Sequence, residues 1–181
     1  RNTNSSIDES LQSVEIIQNL CLRHHKELVV YISMAFGNPY GDPWNEEIAV
    51  KWTKQIASLG VKTIAMSDTV GLAKPDDVKK IFDAVIPSLP QVKIGAHLHA
   101  SPDHWKSKVT AAWDSGCRRF DSALKGYGGC PMAEDVFVGN LASENLYQFL
   151  NERNVKSSID PSQFAHALMM ASAIFQEPLA T

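Results

Sequence analysis

Apolar and polar positions along the chain follow two alternating periods, which predict a repeating unit of strand and helix. Residues 28–36 (LVVYISMAF) form a nearly unbroken apolar, β-branched run, typical of a parallel strand that is covered on both faces. Before this run, residues 11–20 place apolar side chains at helical spacing behind Ser5 and Ser6, which predicts a helix to about residue 25.

The same pattern recurs to the end of the chain and predicts about four strands, each followed by a helix. The strands are expected at residues 28–36, 61–66, 92–98 and 117–120. The helices that follow them are expected at residues 46–59, from Pro75 onward, from 101–103 onward and near 143–151. A last helix is expected at about 161–175, with its larger apolar side chains in the core: Phe164, Met169, Met170 and Phe175.

Alternating strands and helices with short links favour an α/β fold built on a parallel sheet. One candidate is a four-stranded doubly wound sheet, but GNPYGDPW after the first strand is not the glycine-rich phosphate turn of that fold. The other is a partial (β/α)₈ TIM barrel, in which functional residues lie at the carboxyl ends of the strands.

Composition excludes several functional classes. The 181 residues are 44% hydrophobic and carry a formal net charge of −3, which suits one packed core and provides no positive field for nucleic acid. No apolar run approaches the roughly 18 residues that cross a membrane, and the stretch RNTNSSIDES lacks the hydrophobic core of a signal peptide. Three cysteines without paired spacing suit a reducing compartment. We therefore expect a cytoplasmic protein with neither a nucleic-acid nor a membrane partner.

Two histidines stand at the end of the third predicted strand, in VKIGAHLH. The period of two places His97 and His99 on one face, about 7 Å apart along the strand, and Leu98 on the other. In a barrel the apolar face would meet the helices, so both imidazoles would point into the lumen and could chelate one divalent ion. Two histidines satisfied by hydrogen bonds at a strand end would give the same pattern.

Two carboxylates also follow predicted strands. Asp68, in SDTVG, could bind a cation, take a proton from a substrate or cap the turn that follows it. Asp121, in RRFDSAL, has the same position, and it could instead neutralise Arg118 or Arg119.

The loop GYGGCPMA has three glycines within four positions, which favours a backbone that moves or approaches a ligand closely. Cys130 lies in this loop, where a thiol with a tuned pKa could transfer protons or attack a substrate. A flexible loop with an incidental cysteine is the alternative.

Taken together, these segments resemble those of the 3-hydroxy-3-methylglutaryl-CoA lyases. The shared segments occur in the family's order across residues 4–150: YISMAFGNPYGDP, SDTVG, GAHLHASPD, RRFDSALKGYGGCPMA and GNLASENL. The resemblance implies a (β/α)₈ barrel that uses Mg²⁺ or Mn²⁺ to cleave an acyl-CoA substrate into acetyl-CoA and acetoacetate.

The resemblance also implies roles for individual residues. The implied metal ligands are His97, His99 and Asn140. The implied catalytic residues are Cys130, as proton donor or proton shuttle, and Asp68. The residues implied to lie against the substrate are Thr69, Gly128 and Gly129.

Two features depart from the family. Relatives begin with a strand that carries an Asp-Arg-Glu motif, which this sequence lacks, and they often have an acidic residue at the position of Ala100. By position the chain corresponds to strands five to eight, so residues 1–181 are expected to be the C-terminal half of a barrel. Open sheet edges predict a homo-oligomer, with two halves closing one barrel.

Other functions fit parts of the pattern. Related condensing enzymes, such as isopropylmalate and homocitrate synthases, share the paired histidines, but we do not expect GGCPMA in them. An oxo-acid aldolase that keeps the barrel and the metal is a further enzymatic alternative. A half-barrel that binds no metal and acts only by association is the alternative without catalysis.

Overall fold

The computed structural model of the chain describes residues 5–128 and 138–175 and contains four strands and six α-helices there. The strands are β1 (Val29–Ile32), β2 (Thr63–Asp68), β3 (Lys93–Leu98) and β4 (Arg119–Asp121). The helices are α1 (Ile7–Arg23), α2 (Glu46–Ser58), α3 (Pro75–Ser88), α4 (Trp105–Asp114), α5 (Ser143–Glu152) and α6 (Pro161–Ile174). A short 3₁₀ turn at Leu124–Gly126 follows β4.

Side-chain caps fix where several helices begin. Ser6 accepts a hydrogen bond from the Glu9 backbone N–H, while the Glu9 carboxylate accepts one from the Ser6 N–H. Asn45 caps α2, as its sequence position predicts, by accepting from the Ile48 N–H at 2.8 Å. Pro75 begins α3, where the missing N–H removes no helical hydrogen bond.

The sheet is parallel throughout, with its strands in the order β1-β2-β3-β4. A doubly wound sheet reverses its strand order at a switch point, whereas a barrel adds each new strand beside the previous one. The sequential order therefore confirms the partial (β/α)₈ TIM barrel and excludes the doubly wound alternative.

The core lies between the sheet and the helices that cover one of its faces. Every residue of β2 is buried, and α3 packs Ile81, Phe82 and Val85 into this layer with 1% or less of each exposed. The register pairs Ser67 with His97 and His97 with Asp121. Ser67, His97 and Asp121 therefore lie side by side at the carboxyl ends of β2, β3 and β4, on the face of the sheet opposite the helices.

The first strand is shorter and more exposed than its apolar run predicts. It ends at Ile32, and Met34 adopts a left-handed conformation with φ of 58° in the turn that follows. Ala35 and Phe36 are buried as part of this turn, not of a strand. Burial on both faces is also wrong for this strand, because Tyr31 points to the open face of the sheet beside His97 and is 44% exposed.

The last helix does not fill the core as its apolar residues predict. Met169 is 71% exposed and Met170 is 52% exposed, because α6 packs on the 3₁₀ turn and buries only Ala171. The Phe164 ring packs on Tyr147 of α5, and the Phe175 ring packs on Tyr127 directly after the turn. In the part of the chain that the structure describes, no helix is both long and apolar enough to cross a membrane.

Candidate active site at the strand ends

His97, in β3, and His99, directly after it, lie side by side on the open face of the sheet, as the period of two predicts. Their ring centroids are 5.2 Å apart, and the rings are inclined at 73°. Leu98 between them points the other way and is 2% exposed in the core. The strand therefore separates its apolar side chains from its imidazoles.

Both nitrogens of the His99 ring lie close to an oxygen atom. Nδ1 lies 2.9 Å from the Thr69 carbonyl oxygen, and Nε2 lies 3.1 Å from Asn140 Oδ1. A carbonyl oxygen can only accept, so Nδ1 carries a hydrogen and donates it to Thr69. In the neutral ring Nε2 then keeps its lone pair and points it at Asn140.

The orientation of the Asn140 amide is fixed as well. Asn140 Nδ2 donates to the Tyr127 carbonyl at 2.9 Å, which turns Oδ1 toward His99. The Asn140 backbone N–H donates to the Gly126 and Gly128 carbonyls at 3.1 and 3.2 Å, and a short antiparallel bridge pairs Asn140 with His99. The amide therefore cannot rotate freely to offer Nδ2 to the ring.

Two acceptor atoms consequently face each other at 3.1 Å. An electropositive centre, either a cation or a second ring proton on His99, must compensate this arrangement. Imidazole nitrogen and amide oxygen are both common ligands of divalent cations. The geometry therefore fits either two ligands around a shared cation or a hydrogen bond from a doubly protonated ring to Asn140.

His97 contacts a second group of polar residues. Its Nδ1 lies 3.5 Å from Asp121 Oδ2, while Asp121 Oδ1 forms an ion pair with Arg119 Nη2 at 2.9 Å. Burial favours the neutral form of Asp121, but contacts with His97, Tyr31 and Arg119 outweigh it and hold the pKa of this carboxyl below its usual value. Asp121 therefore does neutralise Arg119, one of the two roles that its position predicts.

Asp68 lies on the other face of the sheet from the imidazoles. Its register partner is Leu98, only 2% of the residue is exposed, and its Oδ2 pairs with Lys108 Nζ at 2.7 Å. Asp68 Oδ1 accepts from the Ala73 N–H at 3.0 Å. Both carboxylate oxygens are thus engaged within the protein, in a pair that also caps the following turn.

Thr69 connects the ends of three strands. Its carbonyl accepts from His99, and its hydroxyl oxygen accepts from the Met34 N–H at 2.9 Å in the turn after β1. The Thr69 side chain is therefore held beside the candidate site.

The glycines of the loop after β4 allow it to pack against Asn140. Gly126 has a φ of 68°, and a Cβ there would lie 2.8 Å from the Asn140 carbonyl oxygen. A Cβ on Gly128, with φ of 83°, would lie 3.1 Å from Asn140 Nδ2. Gly129 and Cys130 lie outside the described residues, so their predicted roles are not tested by this geometry.

Sequence reasoning missed Lys108 as part of this region. The residue is 5% exposed and bonds the strand ends from the helix side. Its signal in the sequence was its position on the apolar stripe of α4, between Trp105 and Ala112, where a charge needs a buried partner.

The described residues contain no cluster of three or more His, Cys, Asp or Glu side chains that could hold a metal ion. The candidate site has two imidazoles beside the amide of Asn140, and an amide is a weaker signal of a metal site in sequence than a carboxylate. Without a third His, Cys, Asp or Glu beside them among the described residues, the paired histidines alone do not establish metal binding.

The known sequences that this chain resembles belong to lyases of CoA thioesters. A family model described as HMGL-like matches residues 1–170. An (R)-citramalyl-CoA lyase of Chloroflexus aurantiacus is 35% identical over 150 residues, which make up 83% of this chain and 47% of that protein. The cytoplasmic 3-hydroxy-3-methylglutaryl-CoA lyase of Rattus norvegicus is 30% identical over 162 residues, 88% of this chain and 46% of the relative.

Solved structures agree with these relatives. The HMG-CoA lyase of Brucella melitensis superposes with a TM-score of 0.87 at 26% identity, over 97% of this chain and 62% of that one. An HMG-CoA lyase of Acinetobacter baumannii, in complex with coenzyme A and 3-methylmalate, gives a TM-score of 0.81 at 28% identity, over 96% and 56% of the two chains.

The chain spans about half the length of these curated relatives, 47% and 46% of the two sequences. The family model covers residues 1–170 of this chain, and the solved lyases share its fold. The chain belongs to the HMGL-like family, and the relatives it matches here are lyases of acyl-CoA substrates.

Proposed function

We propose that the chain supplies part of the active site of a carbon–carbon lyase that depends on a divalent cation. His97, His99 and Asn140 would hold Mg²⁺ or Mn²⁺ at the strand ends. The observation that carries this proposal is the pair of acceptors, His99 Nε2 and Asn140 Oδ1, that face each other at 3.1 Å. The amide oxygen suits a hard cation, and two imidazole nitrogens with oxygen ligands accept several divalent ions.

When bound, the cation would supply a Lewis acid that polarises the hydroxyl and acyl oxygens of the substrate. The protein's own residues orient its ligands. The Thr69 carbonyl accepts the Nδ1 hydrogen of His99 and leaves Nε2 as its ligand atom, while the Asp121 carboxylate, 3.5 Å from His97 Nδ1, favours a hydrogen on that nitrogen as well. The His99 ring is thus prepared in one tautomer.

We propose proton-transfer roles for the loop after β4. Cys130 would deliver or shuttle a proton to the thioester enolate that carbon–carbon cleavage leaves behind. Gly128 and Gly129 would let the loop backbone approach the substrate. The close packing of Gly126 and Gly128 on Asn140 supports this, because it ties the start of the loop to a proposed ligand.

Thr69 and Asp68 would act in different ways. The Thr69 hydroxyl oxygen accepts from Met34, so its own hydrogen is available to donate to a substrate hydroxyl or carbonyl. Asp68 is buried against Lys108, which favours a positioning role over the direct proton transfer that its strand-end location predicts.

The proposed reaction is cleavage of 3-hydroxy-3-methylglutaryl-CoA to acetyl-CoA and acetoacetate. Since the chain spans about half of its relatives, we propose that it corresponds to a C-terminal half-barrel and needs the remaining strands for activity. The relative at 35% identity is a citramalyl-CoA lyase, which makes citramalyl-CoA the competing substrate. An assay of the full protein with both thioesters, which follows acetyl-CoA release, decides between them.

The cation site can be tested on the chain itself by calorimetric titration with Mn²⁺. The parent chain should bind with micromolar affinity, and His97→Ala with His99→Ala should weaken binding by more than about 10-fold. Replacing the exposed pair His24 and His25 by alanine is the matched control and should leave affinity unchanged. No binding by the parent chain, or equal binding by both double variants, would contradict the proposal.

A further inference from the structure

Lys108 is a charged side chain buried beneath the strand ends. Its Nζ donates to Asp68 Oδ2 at 2.7 Å, to the His99 carbonyl oxygen at 2.9 Å and to the Gly71 carbonyl oxygen at 3.0 Å. Only 5% of the lysine and 2% of the aspartate are exposed. An ammonium group has three hydrogens, so all of them are used and the buried charge is compensated.

These acceptors join pieces of backbone that are far apart in sequence. Asp68 ends β2, Gly71 lies in the loop at residues 69–72, and His99 follows β3. The other oxygen of Asp68 accepts from the Ala73 N–H, so the carboxylate also holds the far side of the loop. One ammonium group thereby fixes the whole loop against the end of β3.

The loop in turn orients the His99 ring. Thr69, its first residue, accepts the Nδ1 hydrogen of His99 at 2.9 Å. Lys108 therefore holds the His99 backbone directly and the His99 ring through the loop. If this connection were removed, the Thr69 carbonyl could shift relative to the ring, and the preference for one tautomer would weaken.

We propose that Lys108 is a positioning residue that, together with Asp68, fixes the His99 tautomer and so presents Nε2 to the cation. This inference rests on the proposed cation site, but its first consequence, the tautomer, exists in the chain without metal. It assigns a role to a helix residue that lies on the opposite side of the sheet from the imidazoles.

The test uses Lys108→Met combined with Asp68→Asn, which removes both charges of the buried pair together. A single change would leave one charge buried without a partner and could unfold the chain. Lys106→Met is the matched control, because Lys106 lies on the same helix but pairs with Glu152 at the surface, at 2.7 Å. If the methionine variant fails to fold, Lys108→Gln with Asp68→Asn keeps neutral hydrogen-bonding groups in the same place.

Two readouts are taken on variants whose folding is verified by circular dichroism and thermal melting. Nitrogen-15 spectra of the histidine rings, recorded without metal in alkaline buffer, report which nitrogen of His99 carries the hydrogen. Calorimetry with Mn²⁺ reports affinity. The parent chain and Lys106→Met should show the Nδ1–H tautomer, and the folded double variant should show a mixture of tautomers and bind Mn²⁺ at least about 10-fold more weakly.

The outcomes separate this inference from the proposed function. A folded double variant that keeps the Nδ1–H tautomer and the parent's affinity would overturn the positioning role. A parent chain that binds no Mn²⁺, with a tautomer that still changes in the double variant, would remove the cation site and leave the positioning role intact.

Discussion

At the scale of single residues, the candidate site depends on which atom of each polar group is already engaged. Asn140 offers its oxygen to His99 because Tyr127 accepts from its nitrogen. His99 offers Nε2 because Thr69 accepts from Nδ1. The chemistry of the site therefore follows from neighbouring backbone carbonyls as much as from the ligands themselves.

The Cys117 thiol should be inert in the folded chain. Burial raises its pKa to about 11, despite a backbone hydrogen bond at Arg119 and the charges of Arg118 and Arg119 that act in the opposite direction. Only the thiolate reacts, and at pH 8 a thiol with this pKa is about 0.1% ionised. We expect Cys117→Ser to leave the number of thiols that react rapidly with an aromatic disulfide reagent unchanged.

The contrary result would be a loss of one rapidly reacting thiol in Cys117→Ser under native conditions. Cys21, which is partly exposed on α1, provides the internal reference. In denaturant all three cysteines of the parent chain should react, since burial no longer suppresses the thiolate.

At the scale of elements, the loop after β4 must approach Asn140 closely, and Gly126 makes this possible. Gly126→Ala adds a left-handed strain of about 1 kcal/mol and a Cβ that would lie 2.8 Å from the Asn140 carbonyl oxygen. Since backbone has to move, we expect lower thermal stability and Mn²⁺ affinity reduced by about 10-fold.

Gly41→Ala is the control for this prediction. Gly41 also has positive φ, 73°, but a Cβ there would meet nothing within 4 Å. It should show the backbone strain alone, with unchanged Mn²⁺ affinity. Equal effects of the two substitutions in melting and calorimetry would mean that the contact with Asn140 is unimportant.

The sequence predicts most elements because their signals are local. Caps such as Asn45 and a helix start such as Pro75 depend on neighbours a few residues away, and both are confirmed. The end of β1 and the exposure of Met169 are different, because both depend on what covers a surface in three dimensions. A hydrophobic run predicts that its residues are buried, but it does not show which other element of the fold covers them.

The candidate site divides in the same way. The shared face of His97 and His99 follows from strand periodicity, and the structure confirms it. The tautomer of His99 and the burial of Asp68 against Lys108 depend on contacts between residues 30 or more positions apart. Spacing along one strand carries no information about such partners.

At the scale of the whole molecule, the four-stranded sheet has two edges and an open face. β1 and β4 each have a strand neighbour on one side only among the described residues, and Tyr31 on β1 is 44% exposed. Unpaired edges of parallel strands favour association with further strands. We predict that the chain self-associates, with two copies closing a barrel-like assembly.

Sedimentation velocity over a range of concentrations measures this association directly. The expected result is a dimer or larger species at micromolar concentration. A monomer that persists throughout the range would contradict the predicted self-association. It would not bear on the binding of a cation by His97 and His99.

The central claim is that His97 and His99 are ligands of one divalent cation, and electron spin echo spectroscopy of the Mn²⁺-loaded chain tests it most directly. The modulation of the echo counts the histidine nitrogens bound to the ion. We predict two in the parent chain and one in either single variant, His97→Ala or His99→Ala. Bound Mn²⁺ without histidine nitrogen modulation in the parent chain would contradict the account.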